Sequence, residues 1–144
     1  EIASCLVGSE MCIRDSAYSA SLSGKGGRRL HRFDHFAVGV ANGIVHFSGF
    51  ETDGPLWTGQ GPRTERRHIR FDEAFVRPPV VHVSLTMWDI SVGGNQRADV
   101  QAIDIDAEGF VVEFRTWGDT RVARVRVGWM AIGAVRHVTD FDVD

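Results

Sequence analysis

The sequence predicts an all-β domain, a six-stranded antiparallel β-sandwich. Six short segments rich in Val, Ile, Phe and Trp recur along the chain, and turns rich in Gly, Pro and Asp separate them. No segment has the 3.6-residue apolar period of a long amphipathic helix. The chain has 144 residues, 43% of them hydrophobic, which is enough for one compact domain with a sizeable core.

The strand boundaries follow from the turn signals. Pro78 and Pro79 cannot both lie inside a paired strand, so they mark the entry to the third strand. The Gly-Asp-Thr at 118–120 predicts a tight turn that joins the fifth and sixth strands as a β-hairpin. The predicted strands are 43–50, 68–71, 80–89, 98–106, 110–117 and 121–133.

The alternation of apolar and polar residues predicts which face of each strand meets the core. Arg124, Arg126 and Met130 then lie on the outer face of the sixth strand. A change of phase between Val100 and Ile103 indicates a bulge in the fourth strand. The predicted core residues are Val81, Val83, Leu85 and Met87 of the third strand, Phe110, Val112 and Phe114 of the fifth, and Val125, Val127, Trp129 and Ala131 of the sixth.

The first residues need a separate interpretation, because 6–16 resemble the translation of a transposon-type sequencing adapter. We therefore expect residues 1–16 to be an adapter-derived artefact and exclude them from the fold. A flexible or partly ordered lead-in is predicted for 17–42, the sandwich for 43–135 and an acidic tail for 136–144. Both cysteines lie in the first segment, so the rest of the chain offers no disulfide or thiolate ligand.

Charge and motifs narrow the class of protein. The net charge of −3 argues against a nucleic-acid binder, and no apolar run has the ~18–20 residues of a membrane span. No catalytic or cofactor motif is present. The acids at 104–108 lack the spacing of a calcium loop, and the histidines lack that of a zinc site. A glycan hydrolase would need two carboxylates ~5–10 Å apart, and nothing brings Asp89 and Asp119 together.

Three loops at the strand ends combine aromatic, amide and charged residues. Sugars are held by this mixture, because their hydroxyls pair with planar polar groups and their C–H faces lie on aromatic rings. A simple cation–π contact between an arginine and a tryptophan is the alternative. The residues concerned are Trp57 and Gln60 in the first loop, Asn95, Gln96 and Arg97 in the second, and Trp117 and Asp119 in the third.

From Ser48 to Gly133 the chain resembles the H-type lectin domain of snail agglutinins, and most closely the bacterial members of that family. The resemblance implies a six-stranded sandwich that binds galactose- or N-acetylgalactosamine-type glycans without catalysis, needs no cofactor and forms a homotrimer suited to cell adhesion. It rests on SG at 48–49, Trp57, IRF at 69–71, RPPVVHVSL at 77–85, Asp89, NQR at 95–97, GF at 109–110, TWGDTRV at 116–122 and VGWMAIG at 127–133.

The resemblance also implies which residues bind the sugar. Arg97 corresponds to an arginine that grips hydroxyls, and Trp117 to a tryptophan that adds contacts, with Asp119 beside it. Gln60 and Gly61, followed by Arg63, stand where the family has an aspartate. Gly118 and Ala123 replace a histidine and a tyrosine, and the family's cysteines are absent.

These departures from the family pattern leave a second function open. In this alternative the domain is a trimerising structural or attachment module with a degenerate sugar site. Arg124 and Arg126 would then meet a neighbouring subunit and pair with acids such as Glu113.

Overall fold

The computed structural model describes residues 30–138, and it confirms the all-β class. Two three-stranded antiparallel sheets form a sandwich, with one short helix in the loop after the first strand. Predictions for residues 1–29 and 139–144 therefore lie outside the described residues. The elements are β1 Ala37–Ser48, α1 Pro55–Thr58, β2 Arg63–Arg70, β3 Val80–Ile90, β4 Asp99–Ile103, β5 Gly109–Thr116 and β6 Val122–Val135.

The strand order shows that the chain changes sheet at every connection except the one between β4 and β5, which are neighbours in one sheet. Sheet A has the order β1-β6-β3, and sheet B has the order β2-β5-β4. The predicted β5–β6 hairpin is therefore wrong, because the two strands are the central strands of different sheets. The β5–β6 connection, residues 117–121, instead crosses from one sheet to the other at one end of the sandwich.

The core lies between the sheets and is built from the predicted inward faces. Phe110, Val112 and Phe114 of β5 are buried. On β6, Val125 and Val127 are fully buried. The Phe47 and Phe114 rings pack 5.7 Å apart, and Trp129 meets Phe110 edge to face at 5.3 Å between ring centroids.

Several details of the strands differ from the prediction. β2 begins at Arg63 and not at 68, and β4 ends at Ile103 and not at 106. β1 begins at Ala37, six residues before the expected start of the sandwich at 43. The bulge lies in β3 and not in β4, whose register with β5 is regular. Because the register shifts between Leu85 and Met87, Met87 lies opposite Arg126 instead of continuing the core face.

The outer face of sheet A is largely apolar. Across the three strands the register aligns Val40 with Ile132 and Val80, and Asn42 with Met130 and His82. Val40 and Ile44 are both 61% exposed, and Met130 is also exposed. We call the exposed set Val38, Val40, Ile44, Val80, Met130 and Ile132 the apolar face.

The outer face of sheet B carries paired charges instead. Glu113 lies at its centre with only 8% of its side chain exposed, and Arg66 Nη2 is 2.7 Å from its Oε2. Arg115 Nε lies 3.5 Å from the same carboxylate, and Arg115 Nη2 lies 2.9 Å from Asp99 Oδ2. Gln101 Nε2 donates to Asp99 at 2.9 Å.

Candidate functional site

The three loops that the sequence analysis singled out meet at one end of the sandwich. We call their residues 59–63, 91–98 and 117–121 the strand-end rim. The Gly61 amide donates to the Gly118 carbonyl at 3.0 Å, and the Ser91 amide donates to the Arg121 carbonyl at 2.9 Å. The β5–β6 connection therefore lies in the middle, with one of the other loops bonded to each side.

Two buried threonines fix the backbone of Arg97. Thr116 Oγ1 donates to the Arg97 carbonyl at 2.7 Å. Thr120 Oγ1 accepts a bond from the Arg97 amide at 3.1 Å and itself donates to the Asn95 carbonyl. Because both hydroxyls are buried, these bonds are protected from competition with water. The loop that presents Arg97 is thus fastened to both ends of the β5–β6 connection.

Arg63 is a structural residue of this rim. Its side chain is buried, and its Nε donates to the Gly61 carbonyl at 2.9 Å. Its Nη1 donates to the Gly59 carbonyl at 2.8 Å and its Nη2 to the Gly118 carbonyl at 3.2 Å. Burial lowers the pKa of the guanidinium. Since its donors are occupied by carbonyls of the rim, Arg63 is not free to hold sugar hydroxyls.

The Arg97 side chain lies over the turn of the β5–β6 connection. Its Nη1 is 2.9 Å from Asp119 Oδ1, and the Arg97 side chain as a whole is only partly exposed. Gly118 has a φ of +68°, and a Cβ at this position would lie 2.8 Å from Arg97 Nη1. A side chain at residue 118 would therefore strain the backbone and displace the guanidinium.

The Asp119 carboxylate is held in its charged form. A hydrogen bond from its own backbone amide is the largest cause that lowers the pKa of Asp119, although partial desolvation opposes it. The Asn95 amide and the Arg97 guanidinium lower this pKa further. As the pH falls, Asp119 therefore stays charged until the pH is below the usual aspartate pKa of 3.8.

The predicted site residues of the second and third loops lie close together in the structure, whereas Trp57 of the first loop lines another hollow. Arg97, Gly118 and Asp119 are in direct contact, and Gly61 is bonded to Gly118. Trp117 is half-buried beside them in sequence, and Gln60 is exposed next to Gly61.

The sequence analysis missed the two threonines and the structural role of Arg63. Thr116 and Thr120 flank the Trp-Gly-Asp stretch within the matched motif, which was the available signal.

The described residues hold no group of three or more His, Cys, Asp or Glu that could bind a metal ion. His46 and His82 are both exposed on the outer side of sheet A. Over the same range, no helix combines the length and apolarity required to cross a bilayer.

The comparison with known sequences identifies relatives. A family model for the H-type lectin domain matches residues 66–132, which include Arg97, Trp117, Gly118 and Asp119. The protein called ATP synthase subunits region ORF 7 of Fuscovulum blasticum is 47% identical over 109 residues, which cover 75% of this chain and 95% of that protein. Discoidin-2 of Dictyostelium discoideum is 30% identical over 81 residues, which cover 56% of this chain and 32% of that protein.

The solved structures agree on the fold. Native recombinant discoidin II of Dictyostelium discoideum is similar with a TM-score of 0.62 at 24% identity, over 75% of this chain and 41% of that one. A second structure, of wild-type discoidin II, gives the same score and identity over 74% and 40%. The chain thus spans about two fifths of these discoidin chains. Residues 66–132 of the sandwich thus form an H-type lectin domain, which is a carbohydrate-binding domain without a catalytic role.

Proposed function

We propose that the domain binds galactose- and N-acetylgalactosamine-type glycans at the strand-end rim and that a homotrimer presents several such sites together. The observation that carries the proposal is the Arg97–Asp119 pair, 2.9 Å apart and held over Gly118. It lies within the residues that match the lectin family model, and Trp117 adjoins it.

The chemistry of the pair suits a neutral sugar. A guanidinium donates hydrogen bonds and a carboxylate accepts them, so Arg97 and Asp119 together can hold two neighbouring hydroxyls. The indole of Trp117 offers an apolar surface for the C–H face of the ring. Because Arg97 is already neutralised by Asp119, we expect no preference for sialylated or sulfated glycans. Gln60 and the backbone of Gly61 are proposed as further hydrogen-bonding groups from the adjacent loop.

The apolar face supports the homotrimer. Ile44 and Met130 border a hollow of roughly 410 Å³ over Gly128, where the β6 backbone carries no side chain. A contiguous exposed apolar surface rimmed by polar groups is typical of a protein interface. Protruding side chains of another copy would fill such a hollow and bury the apolar residues around it. Arg124 and Arg126, at the other end of the same strand, bond within the chain to Asp89 and Thr86. Glu113 is paired on sheet B, so their proposed pairing with it across subunits is not needed.

Arg97→Ala tests the sugar site. We expect its affinity for methyl N-acetylgalactosaminide, measured by isothermal titration calorimetry, to fall by about 10- to 100-fold. This is the equivalent of losing hydrogen bonds worth ~1.5–3 kcal/mol to a charged group. Arg121→Ala is the matched control, because Arg121 is an exposed arginine of the same rim, and it should bind as the unchanged protein does.

A glycan array with the unchanged protein measures the specificity. Binding to galactose-type glycans that Arg97→Ala abolishes would support the proposal. Equal binding by Arg97→Ala and the unchanged protein, or selective binding to anionic glycans, would refute it.

The apolar face also favours a second candidate function, a trimerising structural or attachment module. Its exposed residues lie on a different part of the domain from the rim, so trimer formation does not depend on sugar binding. A trimer in sedimentation analysis together with an empty glycan array would select this second function.

A further inference from the structure

A second hollow opens beside the end of β1. It has a volume of roughly 380 Å³, and its wall includes Ala123, which stands where the resembled family has a sugar-site tyrosine. None of Arg97, Trp117, Asp119 and Gln60 lines it. The residues that do are Ser48, Phe50, Glu51, Trp57, Asp89, Ser91, Ala123 and Arg124.

One wall of the hollow is aromatic. Phe50 is 59% exposed, although burying such a ring would be favourable. It meets Trp57 edge to face, with 5.2 Å between the ring centroids. The indole is thereby fixed in orientation while it still lines the hollow. A fixed and accessible ring of this kind is a surface for the C–H face of a sugar or for another flat ligand.

The rest of the lining is mostly polar. Arg124 Nε donates to Asp89 Oδ2 at 3.2 Å, and both side chains are more than half exposed. Glu51 adds a second carboxylate, so the lining carries one positive and two negative charges. This net negative charge disfavours anionic ligands. The exposed donors and acceptors are those that pair with hydroxyl groups.

Ser48 adds a hydroxyl in the lining. Its Oγ is buried and has no hydrogen-bond partner among the described residues. A buried hydroxyl without a partner costs about 1–3 kcal/mol. A movement of the Ser48 side chain would let this closed-off oxygen meet a ligand hydroxyl, which would remove that cost.

We propose that this hollow is a second saccharide site that takes a neutral hexose ring. Trp57 and Phe50 contact the C–H face of the ring, and Glu51 with the Asp89–Arg124 pair holds its hydroxyls. The site does not depend on sugar binding at the strand-end rim. A quaternary ammonium ligand is the competing occupant, because aromatic rings beside carboxylates also bind such cations.

The test is an NMR titration of the ¹⁵N-labelled chain with methyl galactoside, methyl glucoside and choline chloride. We expect a methyl hexoside to shift the indole Nε1–H signal of Trp57 and the amide signals of Glu51 and Ser91, with a dissociation constant in the millimolar range. The Trp117 indole reports the rim, and its signal should follow a different midpoint or a different sugar preference. One experiment thus shows separately whether sugar binds at the hollow, reported by Trp57, and whether it binds at the rim, reported by Trp117.

Phe50→Ala tests the aromatic wall, and we expect it to weaken the Trp57 titration at least fivefold. Trp88→Ala is the matched control, since Trp88 is 60% exposed, like Phe50, but does not line the hollow. The proposal fails if no hexoside shifts the Trp57 signal or if only choline does. It also fails if Trp57 and Trp117 titrate with one midpoint for every sugar, or if Phe50→Ala and Trp88→Ala behave alike.

Discussion

The two outer faces of the sandwich differ in how they meet their surroundings. On sheet B, Glu113 is paired with Arg66 and Arg115 within the chain. On sheet A, Ile44 and Val40 are each 61% exposed. The alternation of apolar and polar residues marks only which side of each strand meets the core. It therefore does not tell the two outer faces apart. This difference is the reason why we propose sheet A, and not sheet B, as the face that contacts other copies.

The largest expected effect comes from Ile44→Glu on the apolar face. A charge buried between subunits would be desolvated without a partner, so we expect the proposed trimer to dissociate to monomers. Binding to a dense glycan surface should then fall by roughly 100-fold or more, because the advantage of several linked sites is lost.

Sedimentation velocity measures the mass, and surface binding measures the avidity. His68→Glu is the control, because His68 is exposed on the outer side of sheet B, and it should leave the mass unchanged. A monomeric unchanged protein, or an unaltered mass for Ile44→Glu, would contradict the proposed role of the apolar face.

A smaller effect is expected from Glu113→Ala on sheet B. The substitution leaves Arg115 partly buried without one of its carboxylates, which should lower the free energy of unfolding by about 1–3 kcal/mol. Asp89→Ala on sheet A removes a more exposed pair and should cost less than about 1 kcal/mol. Urea denaturation of both variants measures the contrast. Equal losses in the free energy of unfolding would show that the charged network of sheet B stabilises the fold no more than the exposed pair of sheet A.

The smallest effect is expected from salt. Raising sodium chloride from 0.1 to about 1 M screens exposed charges and should lower the free energy of unfolding by only a few tenths of a kcal/mol. Contacts through apolar side chains are not screened, so the mass of the assembly should stay constant. Dissociation at high salt would instead assign the interface to charged residues.

The fold was largely predictable because the alternation that defines β5 and β6 is local. Phe110, Val112 and Phe114 follow it without interruption, and so does β6 up to Ala131. The crossing from sheet B to sheet A was not predictable, because a short turn between two strands has the same local signature as a hairpin. The early start of β1 was missed because Gly43 resembles a turn residue. In the structure, Gly43 makes room for the Trp129 ring, which would lie 2.7 Å from a Cβ.

Part of the candidate site was predictable from side-chain chemistry. Arg97, Asp119 and Trp117 could be named because their side chains suit a sugar. Arg63 has the same chemistry, and only the carbonyls around it reveal that it is structural. Bonds from a hydroxyl to a distant backbone, such as that of Thr116 to the Arg97 carbonyl, leave no periodic pattern in the sequence, and only the family motif that contains Thr116 pointed to it.

The threonine bonds have a consequence for how specificity can change. Thr116 and Thr120 form hydrogen bonds only with main-chain atoms of the neighbouring loop. These bonds therefore do not depend on which side chains stand at 95, 96 and 97. Mutations at these three positions can therefore accumulate while the hydrogen bonds that hold the loop stay intact. Such an arrangement lets a lineage exchange one preferred ligand for another without first rebuilding the scaffold.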